Sequence, residues 1–192
     1  MAFVICGAVP FLLLCAVDEL LLRGRSVAKA LLSIVAGVLF LFGLIGASLQ
    51  GGLLFPLGLR VAGWAFGAPT LGLLAVSLLI QIPVPSVYFS PARERGLVTT
   101  GMYSVVRHPG VPSLLLVLVS LVFITGSRLL AMATPIWIAA DVAHVAWQER
   151  YFLIPKYGEG YRCYQRMAPM LVPTPKSIRR ALSTVSRRKE VH

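Results

Sequence analysis

The run Gly101-Met102-Tyr103-Ser104-Val105-Val106-Arg107-His108-Pro109 carries the densest set of reactive side chains in this sequence. Arg107 offers a permanent fork of donors, His108 an imidazole of the kind that can give or take a proton, Tyr103 brings a ring with a hydroxyl, and Gly101 lets the backbone turn closely against a small molecule. Pro109 suits the first turn of a following helix. A basic flank at a helix mouth, with a capping proline and no chemistry, would use the same residues, and their types alone leave both readings open.

Two further groups lie downstream. Asp141, His144 and Gln148 recur at i, i+3 and i+7, on one helix face with Trp137. Ionisable groups in so apolar a stretch are costly, so they must meet a partner or line a cavity, and a functional role is the default expectation. The alternative is that Asp141 pairs with His144 or an arginine only to hold helices together. Next, Gln148-Glu149-Arg150-Tyr151 leads through Lys156-Tyr157-Gly158-Glu159-Gly160 to Tyr161-Arg162-Cys163-Tyr164-Gln165-Arg166, and the sequence then reaches Leu171-Val172-Pro173. This segment mixes charge with tyrosine, and an amphipathic helix resting in a headgroup layer would have the same pattern.

Positioning these residues falls to a chain that is 57% apolar and 13% charged over 192 residues. Globular proteins run at roughly 45–50% apolar and about 25% charged. Lipid offers no partner to an open strand edge, so the composition predicts an all-α integral membrane protein. Five apolar stretches approach the length needed to span, at 2–22, 30–49, 59–82, 111–125 and 129–147. The fourth is short, and with only Gly126, Ser127 and Arg128 before the fifth it predicts a tight helical hairpin. Pro83 and Pro85 end the third. The first stretch closes on Asp18-Glu19 without a small-residue cleavage pattern, so it is expected to be a helix and not a removable signal.

Of the 18 basic residues, only Arg60 and Arg128 fall on one side of this arrangement. That asymmetry predicts an external N-terminus and places 83–110 and 148–192 in the cytoplasm. The net charge of +11 follows these flanks and is not interleaved with aromatics, so nucleic acid is not an expected partner. Three cysteines at 6, 15 and 163 make neither a disulfide framework nor a zinc spacing, and no metal is expected. A single membrane-embedded domain over 1–175 is expected, followed by a basic cytoplasmic tail, 176–192, suited to anionic lipid or simply to solvent.

Taken together, the segments resemble the isoprenylcysteine carboxyl methyltransferase and phospholipid methyltransferase superfamily. Its members carry Gly-Pro-Tyr-x-x-x-Arg-His-Pro-x-Tyr, then a Glu-Glu pair, then Phe-Gly-x-x-Tyr-x-x-Tyr and a closing Val-Pro. The resemblance covers roughly residues 60–175. Met102 stands for the usual proline and Val111 for the second tyrosine, and the acidic pair aligns either with Gln148-Glu149 or with Glu149-Arg150.

The resemblance implies methyl transfer from S-adenosylmethionine, bound at the cytoplasmic side, to a lipophilic acceptor from the bilayer, either an isoprenylcysteine-type carboxylate or a lipid amine. It implies cofactor contacts from Gly101, Tyr103, Arg107, His108 and Glu149, and catalytic work from Arg107, His108, Glu149 and His144. Asp141, Arg162 and Arg166 would meet the acceptor. The segment around Lys156-Tyr157-Gly158 also resembles the C-terminal part of nicotinamide-dependent sterol reductases, and a non-enzymatic membrane binding protein is the third reading.

Overall fold

The structure, a computed structural model, describes residues 1–23, 26–53, 55–80 and 96–189. Pro83, Pro85, Arg25, Arg93 and Arg95 lie outside the described residues. Helices account for the architecture, with no strand among the described residues. In chain order they are α1 (Ala2–Leu22), α2 (Ser26–Ser48), α3 (Leu57–Ala75), α4 (Gly110–Thr125), α5 (Arg128–Gln148), α6 (Ile154–Tyr157), α7 (Glu159–Met167) and α8 (Pro175–Lys189). Wider π-helical turns extend α3 over Val76–Ile80 and join α5 to α6 over Glu149–Leu153. Four stretches are long and apolar enough to cross a membrane: Ala2–Leu20, Val27–Ser48, Leu57–Leu78 and Arg128–Tyr157. The shorter α4 is the expected short fourth stretch. This is a multi-pass membrane protein.

The α4–α5 hairpin turns as its sequence predicts. Gly126 ends α4 in the left-handed region at φ 65°, its N–H donating to the Val122 carbonyl. The Ser127 hydroxyl accepts from the Leu130 N–H at 3.1 Å, capping α5, and donates to the Ala47 carbonyl at 2.6 Å. One serine thus satisfies an orphan donor of α5 and fastens the hairpin to the end of α2.

Close approach organises the contact between α1 and α5. Trp137 is fully buried and donates its indole N–H to the Val4 carbonyl at 2.8 Å. Opposite the ring stands Gly7, where an added Cβ would lie 2.3 Å from the indole, so no larger residue fits without displacing the tryptophan. Phe40 of α2 meets the same ring at 5.5 Å between centroids. Around them pack Val4, Phe11, Ala47, Leu118, Leu130 and Ala133. Ile5, Leu12, Ile34, Phe42, Trp64 and Phe66 point outward. Such apolar patches would drive a soluble protein to aggregate, whereas a bilayer is their proper solvent.

Val4 faces Trp137, and Asp18 faces His144 and Gln148, so α1 and α5 run parallel. The C-terminal ends of α1 and α5 and the mouth of α4 therefore share one end of the bundle. Leu49 to Leu53, Phe55, Pro56 and the Gly126–Ser127 turn form the other end, together with Arg60 and Arg128. Pro175–Lys189, which takes in most of the expected tail 176–192, is helical and packs against the Gly101–Ser104 turn. Arg180 donates to the Met167 carbonyl at 2.5 Å.

Candidate active site

At the shared end, one carboxylate gathers most of the polar side chains. Glu149 accepts from Arg107 Nε at 2.8 Å and Nη2 at 3.2 Å, from the Tyr161 hydroxyl at 2.9 Å, and from Gln165 Nε2 at 2.9 Å. His108 Nε2 lies 2.9 Å from the same Oε1 and bonds it as Nε2–H. The carboxylate is a hub that fixes four other side chains.

Its position follows from the backbone. Gln148, the last residue of α5, points to α1, while Glu149, which opens the π-helical turn, and Phe152 are buried inward. Single π turns inside α-helices recur at functional sites. Opposite, the main chain at Arg107 and His108 is clamped: their N–H groups donate to the Pro169 and Met170 carbonyls at 2.9 and 3.1 Å. The Arg107 Nη1 donates to the Ala168 carbonyl at 2.6 Å and to the Gln165 carbonyl at 3.2 Å.

α7 supplies the remaining wall. Tyr161, Tyr164 and Gln165 look inward, and the Tyr164 hydroxyl donates to the Tyr103 carbonyl at 2.6 Å. The Tyr103 hydroxyl in turn donates to the Ser77 carbonyl at 3.1 Å, tying the Gly101–Ser104 turn to the π-helical end of α3. Gly101 adopts φ 62°, a left-handed conformation that a side chain at this position would strain. Burial pushes the Tyr103 phenol up to about 12. Burial, and then the negative charge of Glu149, hold Tyr161 well above the ordinary phenol value, and burial does the same for Tyr164. All three are therefore neutral donors.

A second buried group lies further along α5. Asp18 of α1 accepts from Gln148 Nε2 at 2.9 Å, and its Oδ2 is 3.3 Å from His144 Nε2. Asp141, also buried, interacts electrostatically with both His144 and His108, linking this group to the first. The hydrogen bond of His144 thus runs to Asp18 and not to Asp141.

Of the residues singled out by sequence, the structure brings Tyr103, Arg107, His108 and Glu149 together around the Gly101 turn, with Asp141 and His144 adjoining. Arg162 and Arg166 are placed apart, on the exposed face of α7, where Arg166 pairs with Glu159. Tyr161, Tyr164, Gln165 and Asp18 were not assigned roles from the sequence. The first three do lie at i, i+3 and i+4 in a stretch noted for its tyrosines, which is a usable signal for one helix face. Asp18 carries no local signal, because its partner is 126 residues away.

Against known families, residues 61–160 match the phospholipid methyltransferase family, over half the chain. The protein belongs to the phospholipid methyltransferase family. No curated protein and no solved structure matches it. Family membership makes it a membrane methyltransferase and leaves the reductase reading without support. The phospholipid methyltransferase segment contains Tyr103, Arg107, His108, Asp141, His144 and Glu149. It begins after α1 and α2 and ends before Tyr161, so Asp18 and the α7 donors to Glu149 are contributed from outside it.

Proposed function

We propose that the protein transfers a methyl group from S-adenosylmethionine to a lipophilic acceptor drawn from the bilayer, an isoprenylcysteine-type carboxylate or a lipid amine. The observation that carries this reading is the Glu149 hub, which holds Arg107 and His108 together at one end of an apolar bundle. The family's name favours a phospholipid acceptor, and with it the lipid amine.

The residues present suit that donor. The methionine part of S-adenosylmethionine bears one carboxylate and one ammonium, and Arg107 and Glu149 set opposite charges side by side. A guanidinium has five N–H donors. Among the described residues Arg107 makes four hydrogen bonds, which leaves one N–H on Nη2 that a ligand carboxylate could take. When bound, S-adenosylmethionine supplies an electrophilic methyl group on a sulfonium. The chain's own task is orientation and exclusion of water. Glu149 keeps Arg107 and His108 in register, Gly101 and Tyr103 shape the backbone beside them, and Tyr161 and Gln165 lock the carboxylate. Arg162 and Arg166, exposed on α7, are available to an anionic headgroup arriving along the membrane surface.

By the same proposal the N-terminus is external, and the site end of the bundle is cytoplasmic, as is the basic segment 176–192. Sixteen of the 18 basic residues then lie on the cytoplasmic side. The deciding experiment is calorimetric titration of the purified full chain with S-adenosylmethionine and, separately, with a nicotinamide cofactor. Binding of the first alone is expected, weakened about 10-fold or more in Glu149→Gln through loss of charge-assisted hydrogen bonds. Absence of S-adenosylmethionine binding by the wild-type chain would sink the proposal.

A further inference from the structure

Resting on the methyltransferase reading, we propose that Asp18 and His144 form a dyad in which Asp18 is the positioning residue and His144 Nδ1 takes the acceptor's proton. The dyad is assembled from α1, outside the family-matched segment, and α5 within it.

The geometry assigns the proton. A carboxylate can only accept, so the contact between Asp18 Oδ2 and His144 Nε2 at 3.3 Å requires hydrogen on Nε2. Neutral His144 then presents Nδ1 as a bare lone pair. That atom is buried and has no hydrogen-bond partner among the described residues, while the side chain as a whole is only 9% exposed. A buried, unsatisfied acceptor costs about 1–3 kcal/mol if nothing ever meets it. Asp18 is itself held, because Gln148 Nε2 donates to the same Oδ2 at 2.9 Å. A carboxylate steering an imidazole so that its other nitrogen is an available base is the arrangement that nucleophile-activating sites use.

Charged groups from several elements stand at the same end of the bundle as this ring. Asp18 faces the ring from α1 and Asp141 interacts with it from α5 itself, while His108 interacts with Asp141 from the mouth of α4. α2 contributes the buried Lys29 at the same end of the bundle.

The step this permits balances as follows. The acceptor's X–H bond breaks toward Nδ1 and its electron pair forms the X–CH3 bond. The pair of the broken S–CH3 bond stays on the sulfonium sulfur, leaving a neutral thioether. The proton remains on His144 opposite Asp18 until solvent removes it. An acceptor bearing a proton at the attacking atom needs such a base, whereas a carboxylate acceptor does not.

The test begins with the wild-type chain in lipid nanodiscs with ¹⁵N-labelled histidine, the His144 signals being assigned by their loss in His144→Gln. The expected result at mildly alkaline pH is the Nε2–H tautomer, shifting toward Nδ1–H in Asp18→Asn. Methyl transfer from radiolabelled S-adenosylmethionine into vesicles of a mixed membrane-lipid extract should fall about 100-fold or more in Asp18→Asn, with loss of the ascending limb of the pH–rate profile. Calorimetric affinity for S-adenosylmethionine should be unchanged, and adding His144→Gln should cost little more, since a dyad acts as a unit. An Nδ1–H tautomer in the wild type overturns the dyad without any variant having to fold. So does an Asp18→Asn protein that loses thermal stability but keeps its turnover and pH profile, because a purely structural clasp would do that. A wild-type chain that binds no S-adenosylmethionine overturns the functional reading, and the base role with it.

Discussion

Arg107 reaches across 42 residues of sequence to Glu149, Nε to Oε1 at 2.8 Å and Nη2 to Oε2 at 3.2 Å, with the two side chains 11% and 9% exposed. The pair joins the 101–109 segment to the end of α5. Removing one partner strands the other as a buried charge, so Arg107→Ala should destabilise the protein by about 3–5 kcal/mol. Arg107→Lys should recover only part, because a point charge cannot reproduce the bidentate fork. Arg23→Ala is the control, since its pair with Glu19 is solvent-exposed and should contribute little. Unfolding in detergent, followed by circular dichroism, measures all three, and equal losses in Arg107→Ala and Arg23→Ala would refute the assignment.

Gln148→Glu tests the incomplete acidic pair. One alignment makes residue 148 the missing acid, yet its side chain donates to Asp18 Oδ2 at 2.9 Å. A glutamate there would set a second carboxylate against Asp18. The expected outcome is lower stability with no gain in S-adenosylmethionine affinity, while Glu149→Gln loses affinity. A tighter-binding Gln148→Glu protein would show that the donor contact is dispensable.

Alkaline titration reads the tyrosines. The Tyr103 phenol rises from 10.0 to about 12 on burial, and Tyr161 and Tyr164 rise too. The folded chain therefore holds these protons more tightly than the unfolded one, and stability from this source is intact below pH 10.0 and lost as pH rises through about 12. Ultraviolet difference absorbance should show Tyr103, Tyr161 and Tyr164 titrating late and together with unfolding. Complete titration before any loss of helical signal would contradict the burial described here.

Sidedness can be read with a native thiol. Cys163 is exposed on α7 at the site end, whereas Cys6 and Cys15 are partly buried within α1. A membrane-impermeant maleimide should label Cys163 in inside-out vesicles and spare it in intact cells, while a cysteine introduced at Gly58 should behave oppositely. Labelling of Cys163 from outside intact cells would reverse the proposed orientation.

Sequence periodicity and length were enough to foresee the helices, because lipid permits few alternatives to them. The 126–128 turn was legible from its residue types, Gly126 for the left-handed end and Ser127 for the cap. Arg107, His108 and Glu149 could be selected together only through the resemblance, since nothing local says that residues 42 apart will meet. The π-helical turns at Val76–Ile80 and Glu149–Leu153 were not legible: one extra residue per turn leaves composition unchanged while redirecting every later side chain. Gln148 and Glu149, which sequence alone treats as a pair, meet different partners because adjacent helix positions face apart. Asp18 was hidden for a different reason, as a lone acid at a helix end is usually only a solvated flank.

The clamp on Arg107 and His108 has a consequence for the order in which the protein comes into being. Their backbone N–H groups bond to the carbonyls of Pro169 and Met170, and the guanidinium bonds to that of Ala168. A ribosome delivers the chain from the N-terminus at about 5–20 residues per second. Among the described residues, every stretch able to cross the bilayer has been synthesised before residue 168 exists, so the spans are made ahead of the residues that complete the site. A nascent chain released at residue 160 should integrate into microsomes as the full chain does and yet bind no S-adenosylmethionine. On the proposed function, cofactor binding is expected only once the polypeptide has been read through to the clamp at Ala168–Met170.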